Sequence, residues 1–287
     1  MNKKFQFYKE KKRPKNNSLA EINVNHVNDL LNSDYLLERF VNYFNKYGFV
    51  LITPNELGDN LVSLKSLFGT LVKHEKMNSN GILVIDPLLG HSIGQKNAQL
   101  DHLPHTDESF LSESSKIMIL QCVTQSCTGG DTTIVYGSEM FNYCKKNFTK
   151  EEVQLLFLKD CISVSRTLSN SSKTNSSSFP IFSYNEKNCL EIKWRSMDSY
   201  VNKVNEKVFK LYEKLNKFVC DSRNQFKFKL KENQILVVDN RALCHGRTSF
   251  STDEKRILWR TNYMNDGKLN TVLLNGFKEV ESEEWYF

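Results

Sequence analysis

His105 and Asp107 stand two residues apart in the stretch LPHTDESF, and a further histidine, His245, follows in DNRALCHGR. Successive side chains of a strand point to opposite faces, so positions i and i+2 share one face and converge within a few ångströms. Such an imidazole and carboxylate can hold a metal. The pair also occurs without any such role, and a lone histidine is more often structural than a ligand. The residues beyond His245 bear on that choice. Arg256 and Arg260 bracket the stretch RILWR, where alternation puts both on one strand face with Leu258. Two guanidiniums aimed the same way are costly to bury unless something anionic meets them. His102 lies three residues before His105, on the opposite face of an extended strand, and reads as a non-ligand. His74 and His91 could reach a substrate from loops.

The elements that must position these groups are legible in outline. DYLLERFVNYFNKY (34–47) places apolar residues at helical spacing and ends at Gly48, a C-cap, before the strand FVLIT. A second helix is expected over 56–68, closed by Gly69. SKIMILQCV (115–123) reads as a buried strand, and GGDTTIVYG (129–137) as a turn into another, with Gly129 and Gly130 allowing a tight bend. SEMFNYCKK then reads as a helix capped by Ser138, and TKEEVQLLFLKD as one opened by the capping box of Thr149 and Glu152. Strands are expected at LEIKW (190–194), QFKFKL, QILVVDN and RILWRTNYM, with a long helix near 198–221. SNSSKTNSSS (169–178) cannot bury apolar surface and reads as a flexible loop, either a surface connector or a lid. Many short strands with helices gathered in two places make the class α+β, with sheets closing into a sandwich or barrel.

Composition narrows the function. The 287 residues are 39% hydrophobic and carry no apolar run long enough for a membrane span. The basic start, MNKKFQFYKEKKRPKNN, lacks the apolar stretch of a secretory signal, so the expected compartment is the cytosol. Seven cysteines with no Cys-x-x-Cys pair argue against both a disulfide framework and a thiolate zinc site. The net charge of +6 comes largely from basic residues in the first 15 positions. It reads as a solvated arm, not a nucleic-acid groove. The expected organisation is therefore a flexible arm at 1–20 and a single domain over 21–287.

Two histidines and one carboxylate with coordination positions left open form the facial triad of non-haem Fe(II) oxygenases. With that set in place the chain resembles the taurine dioxygenase and clavaminate synthase (TauD/TfdA) superfamily. The resemblance covers about residues 40–265 and rests on four motifs in order: HTD, GGDT, DNRALCHGR and the RILWR arginine pair. It implies a double-stranded β-helix (jelly-roll) core with flanking helices, and an Fe(II)/2-oxoglutarate-dependent dioxygenase that uses O2. His105, Asp107 and His245 match the iron ligands, Thr132 and Arg256 the groups that bind 2-oxoglutarate, and Arg260 the arginine that meets the substrate's acid. Asp101 and Arg195 sit where relatives contact substrate. The 169–178 stretch falls where the family places a lid.

The retained carboxylate implies hydroxylation, or a desaturation or cyclisation that begins with the same hydrogen abstraction. The expected substrate is a small acidic metabolite such as an amino acid, free or carrier-bound; relatives also oxidise sulfonates and phosphonates. A zinc hydrolase could use the same three ligands, but it gives Thr132 and the paired arginines no role. A non-catalytic binding relative would not need the ligands intact.

Overall fold

The computed structural model describes residues 11–15, 19–55, 60–86, 98–167, 174–198 and 200–279. Its largest sheet has six strands in the order β1-β2-β13-β5-β15-β3. These are β1 (Glu21–Val24), β2 (Phe49–Pro54), β3 (Leu83–Ile85), β5 (Ile117–Thr124), β13 (Ile235–Asp239) and β15 (Ile257–Tyr263). A four-stranded sheet runs β12-β6-β14-β4, from β4 (His102–His105), β6 (Thr132–Tyr136), β12 (Phe226–Phe228) and β14 (Leu243–Arg247). Three more strands, β7 (Ile162–Thr167), β8 (Thr174–Phe179) and β11 (Val201–Val204), form a sheet ordered β11-β7-β8. A hairpin pairs β9 (Phe182–Tyr184) with β10 (Leu190–Ile192).

Strands β2, β5 and β13 are near-continuous apolar runs because both their faces are buried. Val50, Ile52, Ile117, Ile119, Ile235 and Val237 pack with the N-terminal helices in one core cluster. The alternate residues Phe49, Leu51, Met118, Leu120, Leu236 and Val238 belong to a second cluster with the four-stranded sheet. The N-terminal helices are α1 (Asn28–Asn32), α2 (Asp34–Tyr47), α3 (Asn60–Ser63) and α4 (Lys65–Phe68). Leu37, Phe40, Val41 and Phe44 form the buried stripe of α2, whose end is set by Gly48 in the left-handed region at φ 74°. The second cluster also takes in the apolar faces of α5 (Gly137–Asn147) and α7 (Phe209–Cys220). Between them, α6 (Lys150–Leu155) opens with the expected capping box of Thr149 and Glu152. No described helix is long and apolar enough to cross a membrane.

The structure corrects four sequence expectations. The 56–68 helix is two short pieces, α3 and α4, with 56–59 outside the described residues. Ser138 does not cap α5, which begins one residue earlier; its hydroxyl donates to the Lys11 carbonyl at 3.1 Å. The 198–221 helix is confined to 209–220, because Val201 and Val204 pair with β7 as an edge strand. Finally, half of the Ser/Asn stretch at 169–178 is strand: β8 pairs with β7, and hydroxyls face one another across the hairpin at Ser163–Ser178 and Thr167–Thr174. An edge hairpin can satisfy polar side chains that a core could not take. Residues 169–173, the rest of the expected lid, lie outside the described residues.

The arm is corrected as well. Residues 1–10 and 16–18 lie outside the described residues, but Lys11 is buried and its ammonium pairs with Asp239 and donates to the Leu274 carbonyl at 2.6 Å. Burial pushes the Lys11 ammonium below its usual pKa against the opposing pull of Asp239. Removing one partner of a buried ion pair strands the other charge and costs about 3–5 kcal/mol. Lys11→Ala is therefore expected to lose about that much stability in urea unfolding. A loss below about 1 kcal/mol, typical of a surface pair, would return Lys11 to a solvated arm.

Candidate metal centre and its cavity

His105 and His245 are brought together by register. They are paired residues of β4 and β14, and their ring centroids lie 4.5 Å apart. Asp107 follows directly after β4, and its Oδ1 is 3.6 Å from Nε2 of each histidine. The three ligand atoms all fall within 4.8 Å of one another, and all three residues are buried. The Leu103 carbonyl can only accept, so His105 Nδ1 donates to it at 2.9 Å. That leaves the Nε2 lone pair aimed at the cluster, the arrangement metal-ligating histidines use. Burial pushes His105 down to about 4, so its imidazole is neutral at physiological pH and needs no proton released to bind a cation. His245 Nδ1 is buried without a hydrogen-bond partner among the described residues.

Asp107 is fixed from every side. Arg260 Nη1 donates to Oδ1 at 2.9 Å, and Asn262 Nδ2 to Oδ2 at 3.0 Å. Its backbone amide donates to Asn240 Oδ1 at 2.7 Å, and Asn240 Nδ2 donates to the Ser115 carbonyl at 3.0 Å. Burial alone would raise the Asp107 carboxyl. The Arg260 guanidinium and the two imidazoles outweigh it and hold the group well below the usual carboxylate range. Neither asparagine stood out in the sequence. Asn240 was readable as the polar turn ending an apolar strand, and Asn262 as the residue two beyond Arg260 on the same face.

The cluster opens into a cavity between the sheets. From the four-stranded sheet and the turns beside it come His102, His105, Asp107, Thr132 and His245, and from β15 and its approach Arg256, Leu258 and Arg260. The shared face expected for RILWR is thus observed. Arg256 is buried, lies 5.7 Å from the Phe250 ring centroid, and makes no hydrogen bond or ion pair with any described residue. Burial, then the nearby Arg247 charge, pulls it down to about 10. Gly130 turns beside it at φ 66°, where an added Cβ would lie 3.0 Å from Arg256 Nε. A buried guanidinium that is unpaired among the described residues, lining the same cavity as Thr132, suits the far carboxylate of a diacid chelated at the metal.

The remaining expected site residues divide. Arg195 lines the cavity, but its guanidinium is held by Asp198 at 2.6 Å and stacks on Tyr200. Asp101 is exposed outside the cavity, where it accepts from the Ser249 amide at 2.7 Å. Strand alternation fails for His102. Between the pairs His245–His105 and Arg247–His102, β4 carries one residue more than β14. This bulge turns the His102 ring toward His105, with centroids 4.4 Å apart, although His102 stays outside the three-ligand cluster. His74 lines the cavity as expected, and His91 lies outside the described residues. Glu108, which the sequence reading passed over, lines the cavity with its backbone at φ 58°.

The family model described as taurine catabolism dioxygenase TauD, TfdA family matches residues 11–262. No curated protein matches the chain. Among solved structures, a taurine dioxygenase from Burkholderia xenovorans shares 16% identity over 82% of this chain and 83% of that one, with a TM-score of 0.60. An asparagine oxygenase, solved with Fe(II), 2S,3S-3-hydroxyasparagine and succinate, shares 13% over 86% and 94%, with a TM-score of 0.60. The non-haem iron oxygenase OrfP, solved with Fe, succinate and (3S)-hydroxy-L-Arg, shares 15% over 81% and 80%, with a TM-score of 0.58. At these identities the likeness is one of fold.

Outer partners of metal ligands typically contribute about 10- to 100-fold in metal affinity. Asn262→Leu, which removes one hold on Asp107 and keeps the branching at Cγ, is expected to weaken Fe(II) binding by that order in anaerobic calorimetry, with circular dichroism unchanged. Wild-type affinity in this variant would show that Asn262 does not position Asp107.

Proposed function

The chain belongs to the TauD/TfdA family of Fe(II)/2-oxoglutarate-dependent dioxygenases, and on that premise we propose that it hydroxylates a small carboxylated metabolite, most plainly an amino acid, free or carrier-bound. In this reading His105, Asp107 and His245 hold the iron, while Thr132 and Arg256 take the distal carboxylate of 2-oxoglutarate. The observation that carries it is the buried Arg256 guanidinium without an anionic partner among the described residues. Iron and 2-oxoglutarate, when bound, supply the dioxygen activation that removes hydrogen from an unactivated C–H bond.

The protein's own contribution is to hold and orient. The His105 hydrogen bond to Leu103 fixes one ligand's tautomer, and Asn262 and Arg260 fix the carboxylate. Phe250 covers Arg256 and limits water around its charge. Only Arg260 Nη1 engages Asp107, so its remaining N–H groups can meet a substrate acid. Glu108 supplies a carboxyl that an ammonium could meet. The asparagine and arginine products in the two oxygenase structures above support the amino-acid class.

The six- and four-stranded sheets facing across the cavity support a jelly-roll core. That β2, β5 and β13 belong to both apolar clusters supports a single domain.

Fe(II)-dependent succinate formation from 2-oxoglutarate is the first test, and His245→Ala is expected to abolish it. A charge-assisted hydrogen bond contributes about 1.5–3 kcal/mol, so losing a bidentate pair should raise the 2-oxoglutarate constant of Arg256→Ala on the order of a hundredfold. An unchanged constant in that variant removes Arg256 from this role, and an inert wild type removes the whole reading.

A further inference from the structure

Six cationic side chains line the cavity, namely Lys76, Arg166, Arg195, Arg247, Arg256 and Arg260, against the two carboxyls of Asp107 and Glu108. Most of these cations already have an occupation. Arg195 is paired with Asp198, and Arg247 donates to the carbonyls of Ala98 and Thr248. Arg256 faces the place assigned to 2-oxoglutarate. Arg166 is engaged more loosely, its ion pair to Glu75 being 3.4 Å long against 2.6 Å for Arg195 and Asp198. It sits on β7 two residues after Val164, and both side chains face the cavity, so the β11-β7-β8 sheet presents it to whatever enters.

Its surroundings hold Arg166 through a neutral histidine, an aromatic ring and one long ion pair. Nη1 lies 2.7 Å from His74 Nε2, and a guanidinium can only donate, so His74 is the acceptor and carries no charge there. Burial, then the charges of Arg260 and Arg166, push His74 down to about 3. The Arg166 guanidinium lies 5.2 Å from the Phe110 ring centroid, which fixes its plane. Its carboxylate partner among the described residues, Glu75, accepts from Nη2 at 3.4 Å at a partly exposed position. Burial lowers Arg166 itself, and the charges of Arg260 and Arg195 add to that lowering against Tyr200 and Glu75. Three guanidiniums thus repel one another across one space, which an anion between them would relieve.

We propose that Arg166, oriented by His74 and Phe110, receives a second anionic group of the primary substrate, so that the substrate carries two acids, one at Arg260 and the other at Arg166. This rests on the assignment of Arg260 to a substrate acid made above. The second group is a carboxylate or a phosphate ester, since both accept two parallel N–H bonds from a guanidinium fork.

The test titrates the Fe(II)-loaded protein, under nitrogen and saturated with 2-oxoglutarate so that Arg256 is occupied. The probes are L-aspartate against L-asparagine, L-glutamate against L-glutamine, and O-phospho-L-serine against L-serine. At least one acid is expected to bind tenfold or more tightly than its uncharged partner, and the winning pair tells carboxylate from phosphate. Arg166→Gln should remove most of that preference and leave the affinity for the uncharged partner and for 2-oxoglutarate unchanged. The proposal is overturned if no acid is preferred, including the case in which none binds, or if the preference survives in Arg166→Gln. Should that variant fail to fold, Arg166→Lys decides. A severalfold loss in affinity for the acid alone supports the proposal, and no loss overturns it. Succinate formation by the wild type is scored separately, so an active enzyme without acid preference loses only the Arg166 subsite.

Discussion

A buried carboxylate that must stay ionised is the constraint from which the rest of the site follows. Asp107 is 3% exposed, and moving a carboxylate out of water costs several kcal/mol unless other groups compensate. The neutral imidazole of His105 does not carry the charge to do so. Arg260 does, at 2.9 Å, and Asn262 takes the second oxygen. The carboxylate therefore remains charged, and its Oδ1 is turned toward both histidine Nε2 atoms. A divalent cation in that cluster would meet a preformed donor set instead of having to assemble one.

That compensation dictates sheet architecture. Arg260 and Asn262 lie on β15 of the six-stranded sheet, while His105 and His245 belong to the four-stranded sheet. The two sheets must face each other at a fixed separation for the contacts across Asp107 to form. The buried alternation along β2, β5 and β13 supplies that rigidity, with one face on the N-terminal helices and the other toward the second sheet. Side chains at i and i+2 on β15 thus act together on one carboxylate, and Arg256 lies at the near end of the same strand face.

This division of labour also decides what could be read from sequence. The pairing of His105 with Asp107 and the shared face of Arg256 and Arg260 were legible because histidine is scarce in the chain and the spacing follows strand alternation, whereas His245 and Thr132 were singled out through the family resemblance. The positions of the long strands and of α2 were legible because burial writes itself into apolar runs. What escaped depended on contacts between distant segments. The bulge that turns His102 toward His105 is a register event, set by how many residues β4 and β14 each carry. Asn240 and Asn262 are ordinary polar residues until Asp107 is placed between them. Edge strands β8 and β11 escaped because pairing with β7 satisfies polar side chains that propensity assigns to loop or helix.

The same long-range logic ties the site to both ends of the described chain. Asp239 and Asn240 are neighbours in the turn that closes β13. Asp239 receives the Lys11 ammonium, the Gly276 amide at 3.0 Å and the Asn275 side chain at 3.2 Å. Asn240 faces the other way and receives the Asp107 amide. One peptide bond therefore separates the residue that gathers positions 11, 275 and 276 from the residue that fixes the carboxylate. A buried polar network of this kind is stable only when every member is satisfied, because each unpaired group keeps its desolvation penalty. Breaking the Lys11 contact would leave Asp239 with its hydrogen bonds from Asn275 and Gly276 but without the buried cation, and a shift of the turn toward water would relieve that loss. Asn240 would move with it, so a loss of ordering at the chain's start would be felt first as looser positioning of Asp107.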